Sequence, residues 1–538
     1  MTGLNYTRKR SVIGSWKGSE NSIKTDPAEI KKQLLDLSQE LVLLDYLDQI
    51  AVGTADGILM IGDSFPKGIA AVGELPAVAP SQFGDPTFLK SYGIKAAYMA
   101  GSMANAISGV ELVTALGQAG YLASYGAGGV SPTRLLEAIQ KIQASLPNGP
   151  YAFNLIHSPH EPALEQKAVD LYLEHQVRVI EASAFLRLTP AVVQYRAAGL
   201  SADPSGKVHI GNQVIAKLSR PEVAVQFLNP APERLLQQLV DERKITPLQA
   251  ELAGSVPMAD DVTVEADSGG HTDNRPLVGL LPSIIALRNE VQDQQGYSVP
   301  VRIGAGGGMG TPIAVLGAFA MGAAYVVTGS VNQACLEAGT SASVKEALCQ
   351  AAAPDVMMAP SADMFEMGVK VQVLKRGTMF PMRSQKLYDT YLAYESIEAI
   401  EPAVRADLEE KIFQKDLDLV WAECEKFFQE RDPSQLQKAN QDPKKKMALV
   451  FRWYLGLATH WGVQGVPERK LDYQIWCGPS MGAFNDWARG TSIEAPHNRS
   501  AVRVADQLLQ GAAYQYRLNQ LAMQGITTPT AWTRYLDA

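Results

Sequence analysis

A histidine after two glycines, at the predicted end of a buried strand, is the first residue whose type and position could support chemistry. Residues 261–266 alternate and are rich in β-branched side chains, which predicts a short buried strand. A Ser-Gly-Gly turn at 268–270 and His271 follow, and an apolar pattern with helical spacing begins at Pro276. An imidazole at a strand end can give or take a proton near neutral pH. The alternative is an ordinary loop histidine bonded to the backbone.

Two turns of small residues later in the chain could hold a phosphate group. Residues 306–308 are three glycines between a predicted strand and a helix start, with Pro312 near the first helical turn. Adjacent glycines let backbone N–H groups approach an anion, and the helix start adds partial positive charge. The next predicted strand ends at a second such turn, 329–330. Loops after the last two strands of a barrel often bind phosphate, so the pair of turns predicts such a site.

Polar residues inside two apolar runs are further candidates. Asn154 and Lys217 each interrupt a predicted buried strand, where an amide or an ammonium group needs a partner. A polar phosphorylated ligand in a barrel mouth would supply one, and for Lys217 an internal ion pair is the alternative. The small residues at 101–104 would let a flat ring lie against the backbone, although a simple turn explains them as well.

These residues require a scaffold of alternating strands and helices. Eight short apolar or β-branched runs occur, mostly separated by helical patterns, near 97–101, 121–126, 151–156, 177–182, 209–217, 261–266, 299–304 and 324–329. This rhythm predicts an α/β fold, a (β/α)8 TIM-type barrel, with a doubly wound sheet as the alternative. No dinucleotide-binding fingerprint occurs, because the glycine-rich stretch 304–310 has the wrong spacing, and no Walker A motif occurs either.

Composition excludes several classes of function. The chain has 538 residues, 46% apolar and 19% charged, which is typical of a globular enzyme with more than one structural unit. A net charge of -8 argues against a nucleic-acid groove, and no run approaches the ~20 apolar residues of a membrane span. The basic residues Arg8, Lys9 and Arg10 precede no apolar core, so no signal peptide is expected. Scattered cysteines suit a reducing cytoplasm, and neither they nor the histidines have metal-site spacing.

The same patterns predict how the chain is divided. We expect a polar N-terminal segment and a helix over 29–47, a small preface to the barrel, the barrel with an inserted helical lid, and a C-terminal α-helical subdomain with a charged linker at 431–446. The predicted units are 1–50, 51–95, 96–375 with the lid at 220–259, and 376–538.

The motifs in this order resemble a known family of flavin enzymes, the nitronate monooxygenase and FabK-type enoyl reductase superfamily. The closer resemblance is to the PfaD-like, trans-acting enoyl reductases of polyunsaturated fatty acid and polyketide synthases. It extends over roughly 40–500 and includes Gly53–Gly57, residues 215–221, the HTDNRP run 271–276 and residues 475–485. Ser102 stands where relatives often have glycine, and Met309 follows the glycine turn in place of an aliphatic-acidic pair.

This resemblance implies an FMN-dependent enzyme and assigns residues to its site. His271 is the implied catalytic residue, and no metal is implied. The implied cofactor-binding residues are Gly101, Ser102, Met103, Ala104, Asn154, Lys217, Asp267, Ser268, Gly269, Gly270, Ala305, Gly306, Gly307, Gly308, Gly329 and Ser330.

The implied reaction is reduction of a 2-enoyl thioester carried by an acyl carrier protein, with NADPH or NADH as reductant. His271 would donate a hydrogen bond or a proton to the substrate. Acyl carrier protein domains are the implied partners, a homodimer is compatible with the resemblance, and a cytoplasmic location is expected. Two alternatives stay open: a nitronate monooxygenase that uses the same histidine as a base, and a non-catalytic scaffold that keeps the flavin fold.

Overall fold

The structure is a computed structural model that describes residues 3–6, 11–54, 56–61, 68–159 and 161–535. The basic residues Arg8 to Arg10, on which the signal-peptide prediction rests, lie outside these ranges, and so does Ala55 of the Gly53–Gly57 motif. Within the described ranges, no helix combines the length and apolar character that a membrane crossing requires.

The N-terminal region is a six-stranded sheet with two helices. A short strand β1 (Asn5–Tyr6) comes first. The strands of the sheet are β2 (Gly14–Lys17), β3 (Ile23–Lys24), β4 (Leu41–Tyr46), β5 (Gln49–Gly53), β6 (Ile58–Ile61) and β7 (Ile69–Leu75). The helices are α1 (Pro27–Leu35) and α2 (Pro86–Tyr92). The sheet order is β3-β5-β4-β7-β2-β6. Residues 14–24, which lie in the predicted polar N-terminal segment, thus contribute two strands.

The helix predicted over 29–47 is wrong in its second half. Helix α1 ends at Leu35, and residues 41–46 form β4, which pairs with β5 on one side and β7 on the other. The first four residues of β4 are all buried. A fully buried strand has no alternation of apolar and polar side chains, so its apolar run can be mistaken for a helix.

Eight parallel strands close the barrel that the sequence predicts. The strands that follow β7 are β8 (Tyr98–Ala100), β9 (Leu122–Tyr125), β10 (Ala152–Ile156), β11 (Val179–Ser183), β12 (Leu200–Ala202), β13 (Val208–Ile210), β14 (Gln213–Leu218), β15 (Asp261–Glu265), β16 (Gly270–His271), β17 (Arg302–Gly306) and β18 (Val326–Thr328). The barrel order is β8-β9-β10-β11-β14-β15-β17-β18, and β18 pairs with β8 to close it. The closed barrel confirms the predicted fold class and excludes the doubly wound sheet.

Helices surround the barrel and continue beyond it. They are α3 (Val110–Gln118), α4 (Pro132–Ser145), α5 (Pro162–Glu174), α6 (Pro190–Ala198), α7 (Pro221–Leu228), α8 (Glu233–Asp241), α9 (Pro247–Ala253), α10 (Leu277–Gln295), α11 (Pro312–Ala320), α12 (Ser330–Gln333), α13 (Ala342–Cys349), α14 (Phe380–Ala393), α15 (Pro402–Leu408), α16 (Leu417–Arg431), α17 (Pro433–Gln441), α18 (Pro443–Gln464), α19 (Ser480–Ala488) and α20 (Ala501–Met523). Side chains between the barrel wall and these helices form the largest apolar core.

The inserted helices α8 and α9 do not cover the barrel mouth, so their interpretation as a lid is corrected. Both pack on α6, and α9 also contacts the β12–β13 hairpin, which precedes the amino end of β14. Gln249 of α9 donates to the carbonyl of Ala198 at the end of α6, 3.1 Å away. The buried leucines of α8, Leu235, Leu236 and Leu239, belong to the main core. The insertion therefore thickens the outer wall.

The charged stretch 431–446 is helical, which corrects its interpretation as a linker. Asp432 and Asp442 each accept a hydrogen bond from a backbone N–H two residues later, and each precedes a proline at the first helical position. The Asp-Pro pairs thus begin α17 and α18, as their N-capping chemistry favours. Helix α18 shares a second apolar core with α14 to α16, and α17 packs on α16 and α18.

Two further strands and the last long helix connect the C-terminal region to the rest. Strands β19 (Val356–Pro360) and β20 (Lys370–Leu374) form an antiparallel hairpin, and β20 pairs with β16. Helix α20 packs on α11 and reaches the N-terminal sheet, where the buried Arg517 donates to five backbone carbonyls between residues 33 and 76. A short strand β21 (Ile526–Thr527) pairs with β1.

The amino end of the barrel holds a buried ion pair with many partners. Arg302 donates to both carboxylate oxygens of Asp261, at 2.6 and 2.8 Å. The hydroxyl of Tyr92 donates to Asp261 at 2.5 Å, and Ser91 accepts from Arg302 at 2.8 Å. The ring of Phe88 lies 5.5 Å from the guanidinium carbon. This network joins β15, β17 and α2.

Candidate active site

The carboxyl end of the barrel, here called the mouth, contains a buried carboxylate. One of its oxygens accepts no hydrogen bond from the described residues. Glu181 of β11 is fully buried, and its Oε2 accepts from the backbone N of Ser102 at 2.8 Å. The other oxygen, Oε1, has no hydrogen-bond partner among the described residues. The amide of Asn154 donates to the Glu181 carbonyl at 2.9 Å and to Ser183 Oγ at 3.0 Å. A buried carboxylate oxygen is costly without a donor, so this position favours a ligand or a water molecule.

Lys217 lies beside this carboxylate and forms the ion pair that the sequence left as an alternative. Its Nζ is 2.9 Å from Oε1 of Glu265, at the end of β15. Burial lowers the pKa of Lys217, but the charges of Glu265 and Glu181 outweigh that effect and raise it. Lys217 is therefore a cation at the mouth. Its contact with a cofactor stays a prediction.

The two predicted phosphate turns are adjacent, since β17 and β18 are neighbouring strands. Gly307 and Gly308 have φ values of 81° and 77°, which L side chains rarely adopt. A Cβ on Gly307 would lie 2.7 Å from the backbone carbon of Ala266, so this turn packs tightly on the end of β15. A Cβ on Gly308 or Gly329 would meet no atom within 4 Å. Open space therefore lies on the Cβ side of both positions, and an anion could occupy it.

His271 is held in β16 and has a carboxylate partner that the sequence did not reveal. Its Nε2 lies 3.1 Å from Oδ1 of Asp363, in the turn of the β19–β20 hairpin. Burial lowers the pKa of His271, but the hydrogen bond to Asp363 and the charges of Asp363 and Glu265 outweigh it, and the pKa is raised. Burial raises the pKa of Asp363, but the hydrogen bond and charge of His271 lower it to about 2. The pair is therefore an imidazolium–carboxylate pair over a wider pH range than free histidine would give.

A segment from the C-terminal region closes over the loops of the mouth. The backbone N of Gly478 donates to Ser330 Oγ at 3.1 Å. A Cβ on Gly269 would lie 2.8 Å from the backbone N of Cys477, and one on Gly310 would overlap the carbonyl oxygen of Ser480. These glycines therefore permit close contact between the barrel loops and residues 477–480.

Left-handed backbone at non-glycine residues also occurs in the loops of the mouth. Asn105, Ala184 and Asn274 have φ values of 57°, 63° and 49° in the loops after β8, β11 and β15. Such conformations cost free energy and are common where a fold fixes a functional loop.

The structure brings the predicted site residues to one end of the barrel. Each lies near the carboxyl end of a barrel strand or in the loop after it: Gly101, Ser102, Met103 and Ala104 after β8, Asn154 in β10, Lys217 in β14, Asp267, Ser268, Gly269, Gly270 and His271 after β15, Ala305, Gly306, Gly307 and Gly308 at the end of β17, and Gly329 and Ser330 after β18. Asp267 Oδ1 and the carbonyl of Ser268 each accept a hydrogen bond of 2.7 Å from Gln372 Nε2.

Four polar residues of the mouth were missed from the sequence. Glu181 and Glu265 interrupt apolar strands in the same way as Asn154 and Lys217, so that criterion could have found them. Asp363 and Gln372 carry no such signal, because their contacts depend on pairing between strands far apart in the chain.

With this geometry established, comparison with solved structures identifies the family. The enoyl reductase domain of MlnA, from the macrolactin biosynthesis cluster of Bacillus amyloliquefaciens, is 38% identical with a TM-score of 0.79, and the match covers 83% of this chain and 100% of that domain. The chain belongs to the family of this enoyl reductase domain.

Curated relatives of this enoyl reductase family member are longer proteins that match it over part of their length. One protein of the polyunsaturated fatty acid synthase of Thraustochytrium sp. is 50% identical over 461 residues, or 84% of this chain and 31% of that protein. The polyketide biosynthesis protein PksE of Bacillus subtilis is 43% identical over 437 residues, or 81% of this chain and 57% of that protein. The chain thus spans less than two thirds of either relative.

The C-terminal helices of this chain match the model of another protein family. Residues 394–473 match the inserted helical domain of acyl-carrier-protein S-malonyltransferase. This range contains α15 to α18 and most of the second apolar core.

The mouth fits the flavin that the resemblance implies. A phosphate group needs space beside backbone N–H groups, and Gly308 and Gly329 have open space at the Cβ position. A flavin ring presents polar edge atoms, and the unused oxygen of Glu181 and the ammonium of Lys217 are available to polar partners there. The residues present are therefore compatible with FMN.

Proposed function

We propose that this chain is an FMN-dependent enoyl reductase that acts on 2-enoyl thioesters of fatty acid or polyketide biosynthesis. The single observation that carries the proposal is the match to an enoyl reductase domain over that domain's whole length. FMN would supply hydride transfer when bound, with NADPH or NADH as the source and Cβ of the thioester as the destination.

The protein's own contribution is to hold the cofactor and to stabilise charge on the substrate. The glycine turns, with their open faces at Gly308 and Gly329, would hold the phosphate, and Lys217 would add positive charge beside the ring. During reduction, negative charge develops on the thioester oxygen, and a donor near that oxygen lowers the barrier. His271, whose imidazolium form is favoured by Asp363, is the donor that the mouth offers, and it can then deliver a proton toward Cα.

We further propose that the thioester arrives on the phosphopantetheine arm of an acyl carrier protein. Two relatives are named for polyunsaturated fatty acid and polyketide biosynthesis, and residues 394–473 match a domain of an enzyme named for an acyl carrier protein. The helices of this region pack beside the mouth through the β19–β20 hairpin, so they are our candidate docking surface. A trans-acting role, a cytoplasmic location and a homodimer stay predictions.

The experiment that tests the proposal separates the two half-reactions under anaerobic conditions. We expect the purified protein to be yellow and to release FMN, not FAD, on denaturation. NADPH or NADH should bleach the flavin absorbance, and a 2-enoyl thioester should restore it, faster when the thioester is on a carrier protein than on a short mimic. Rapid oxygen consumption with an alkyl nitronate and no reoxidation by the enoyl thioester would favour the nitronate monooxygenase. Protein that binds no flavin would contradict the proposal.

A further inference from the structure

The loop that carries His271 is completed by a strand from outside the barrel. Strand β16 pairs with β20, with His271 opposite Val371 and Gly270 opposite Gln372. No barrel strand pairs with β16 in the described part of the chain. The backbone position of the histidine therefore depends on the β19–β20 hairpin.

The turn of this hairpin is fixed on the second apolar core. Ser361 and Val369 close it with a backbone hydrogen bond of 2.9 Å, and Phe365 inside it is fully buried. The Phe365 ring lies 5.2 Å from the ring of Tyr391 and 6.4 Å from that of Phe451. Asp363 thus extends toward the mouth from a well-packed support.

Gln372 fixes the other side of the His271 loop. Its Nε2 donates to Asp267 Oδ1 and to the Ser268 carbonyl, both at 2.7 Å, and its Oε1 accepts from Asn274 Nδ2 at 3.1 Å. Gln372 is 5% exposed, so these bonds are largely shielded from water. The residues on both sides of His271 are therefore bonded to one side chain of β20.

The protonation of the histidine follows from its carboxylate partner. An ionised carboxylate can only accept, so Nε2 of His271 carries the hydrogen that Asp363 receives. Because Nε2 is engaged with Asp363, Nδ1 is the ring nitrogen that a substrate would contact. The charged groups that face the imidazole are Asp363 and Glu265, which favour its cation, and Lys217, which opposes it.

We infer that Asp363 is a positioning residue of the active site, which orients His271 through Nε2 so that Nδ1 is left for the substrate, and whose charge favours the imidazolium form. The inference rests on the proposed function for its kinetic consequence only. The hydrogen bond itself is testable without any substrate.

The test compares Asp363→Asn, Asp363→Glu and Lys370→Gln in the flavin-loaded protein. Lys370 is an exposed residue of the same hairpin, so its change alters the local charge by one unit without touching His271. NMR titration of isotopically labelled histidine should give an apparent pKa for His271 that is lower in Asp363→Asn than in wild type, because the variant removes the carboxylate charge that favours the imidazolium. Asp363→Glu should recover part of the shift, and Lys370→Gln should resemble wild type.

Stopped-flow kinetics supply the second readout. Reoxidation by the enoyl thioester should slow about tenfold in Asp363→Asn at pH 8 and much less at pH 6, whereas reduction by NAD(P)H should not change. An unchanged His271 titration in correctly folded Asp363→Asn overturns the inference. A shifted titration in a protein that shows no enoyl half-reaction supports the pair and refutes the proposed function.

Discussion

The two ends of the barrel each hold a buried carboxylate, and the two carboxylates differ in how completely they are hydrogen-bonded. At the amino end, Asp261 receives two hydrogen bonds from Arg302 and one from Tyr92. At the carboxyl end, Glu181 receives one backbone hydrogen bond, and its second oxygen has no partner among the described residues. A network whose groups satisfy one another stabilises the wall, whereas an incompletely bonded carboxylate suits a site that accepts a ligand. The number of hydrogen bonds to a buried carboxylate thus distinguishes a residue that stabilises the fold from one that belongs to the candidate site.

The largest expected effect comes from removing one carboxylate charge at each end. Asp261→Asn should lower the free energy of unfolding by about 3–5 kcal/mol, because it leaves the Arg302 charge buried without its partner. Glu181→Gln should change it by about 1 kcal/mol or less, because Glu181 forms no direct ion pair with the residues that the structure describes and an amide oxygen can still accept from Ser102. Urea denaturation of the flavin-free variants measures both values. Equal losses would contradict the distinction between the two ends.

A smaller effect is expected on ligand binding at the carboxyl end. Gly329→Ala adds a methyl group to open space, so the free energy of unfolding should stay within about 0.5 kcal/mol of wild type. The same methyl group would enter the proposed phosphate position, and the affinity for FMN should fall about tenfold, or ~1.4 kcal/mol. Titration of the apoprotein with FMN measures the change.

Gly317→Ala is the matched control, since its Cβ would also meet no atom within 4 Å but lies in the middle of α11. It should leave the FMN affinity unchanged. If both variants bind FMN like wild type, the phosphate does not occupy the space at Gly329.

The smallest expected effect is the pH dependence of stability from His271 and Asp363. The raised pKa of His271 stabilises the folded protein below the unfolded value near 6.5, and this contribution is lost as pH rises through the folded pKa. The pKa of Asp363, lowered to about 2, contributes above the unfolded value near 3.8 and is lost as pH falls toward 2. The free energy of unfolding of wild type should therefore exceed that of Asp363→Asn, mainly between about pH 4 and 6.5. The difference should be at most about 1 kcal/mol, because both side chains are partly exposed to water.

Thermal unfolding of both proteins at pH 5 and pH 8 measures this difference. A larger difference at pH 8 than at pH 5 would show that the assigned sign is wrong.

The barrel could be predicted because its evidence is local. Each strand is a short apolar run, and the proline or glycine residues that begin and end the helices are visible in the sequence, as at Pro132 and Gly296. The candidate site residues also follow from local rules, since small residues or interrupting polar residues at strand ends mark the mouth. Glu181 and Glu265 show that the same rule applied to every strand would have found two residues more.

The failed predictions concern contacts between distant segments. Residues 41–46 look helical until β5 and β7 are known to lie on both sides of them. The inserted helices could pack on the mouth or on the outer wall, and only their contacts with α6 decide this. The partner of His271 is separated from it by 92 positions, and no spacing rule connects the two residues.

The pairing of β16 with β20 has a consequence for how the enzyme is made. The ribosome completes the eighth barrel strand at Thr328, before it adds Asp363, Gln372 and Gly478. All eight barrel strands are therefore present in the nascent chain before Asp363, Gln372 and Gly478, which contact the loops of the mouth. The residues that complete the mouth are therefore synthesised after those that form the barrel wall.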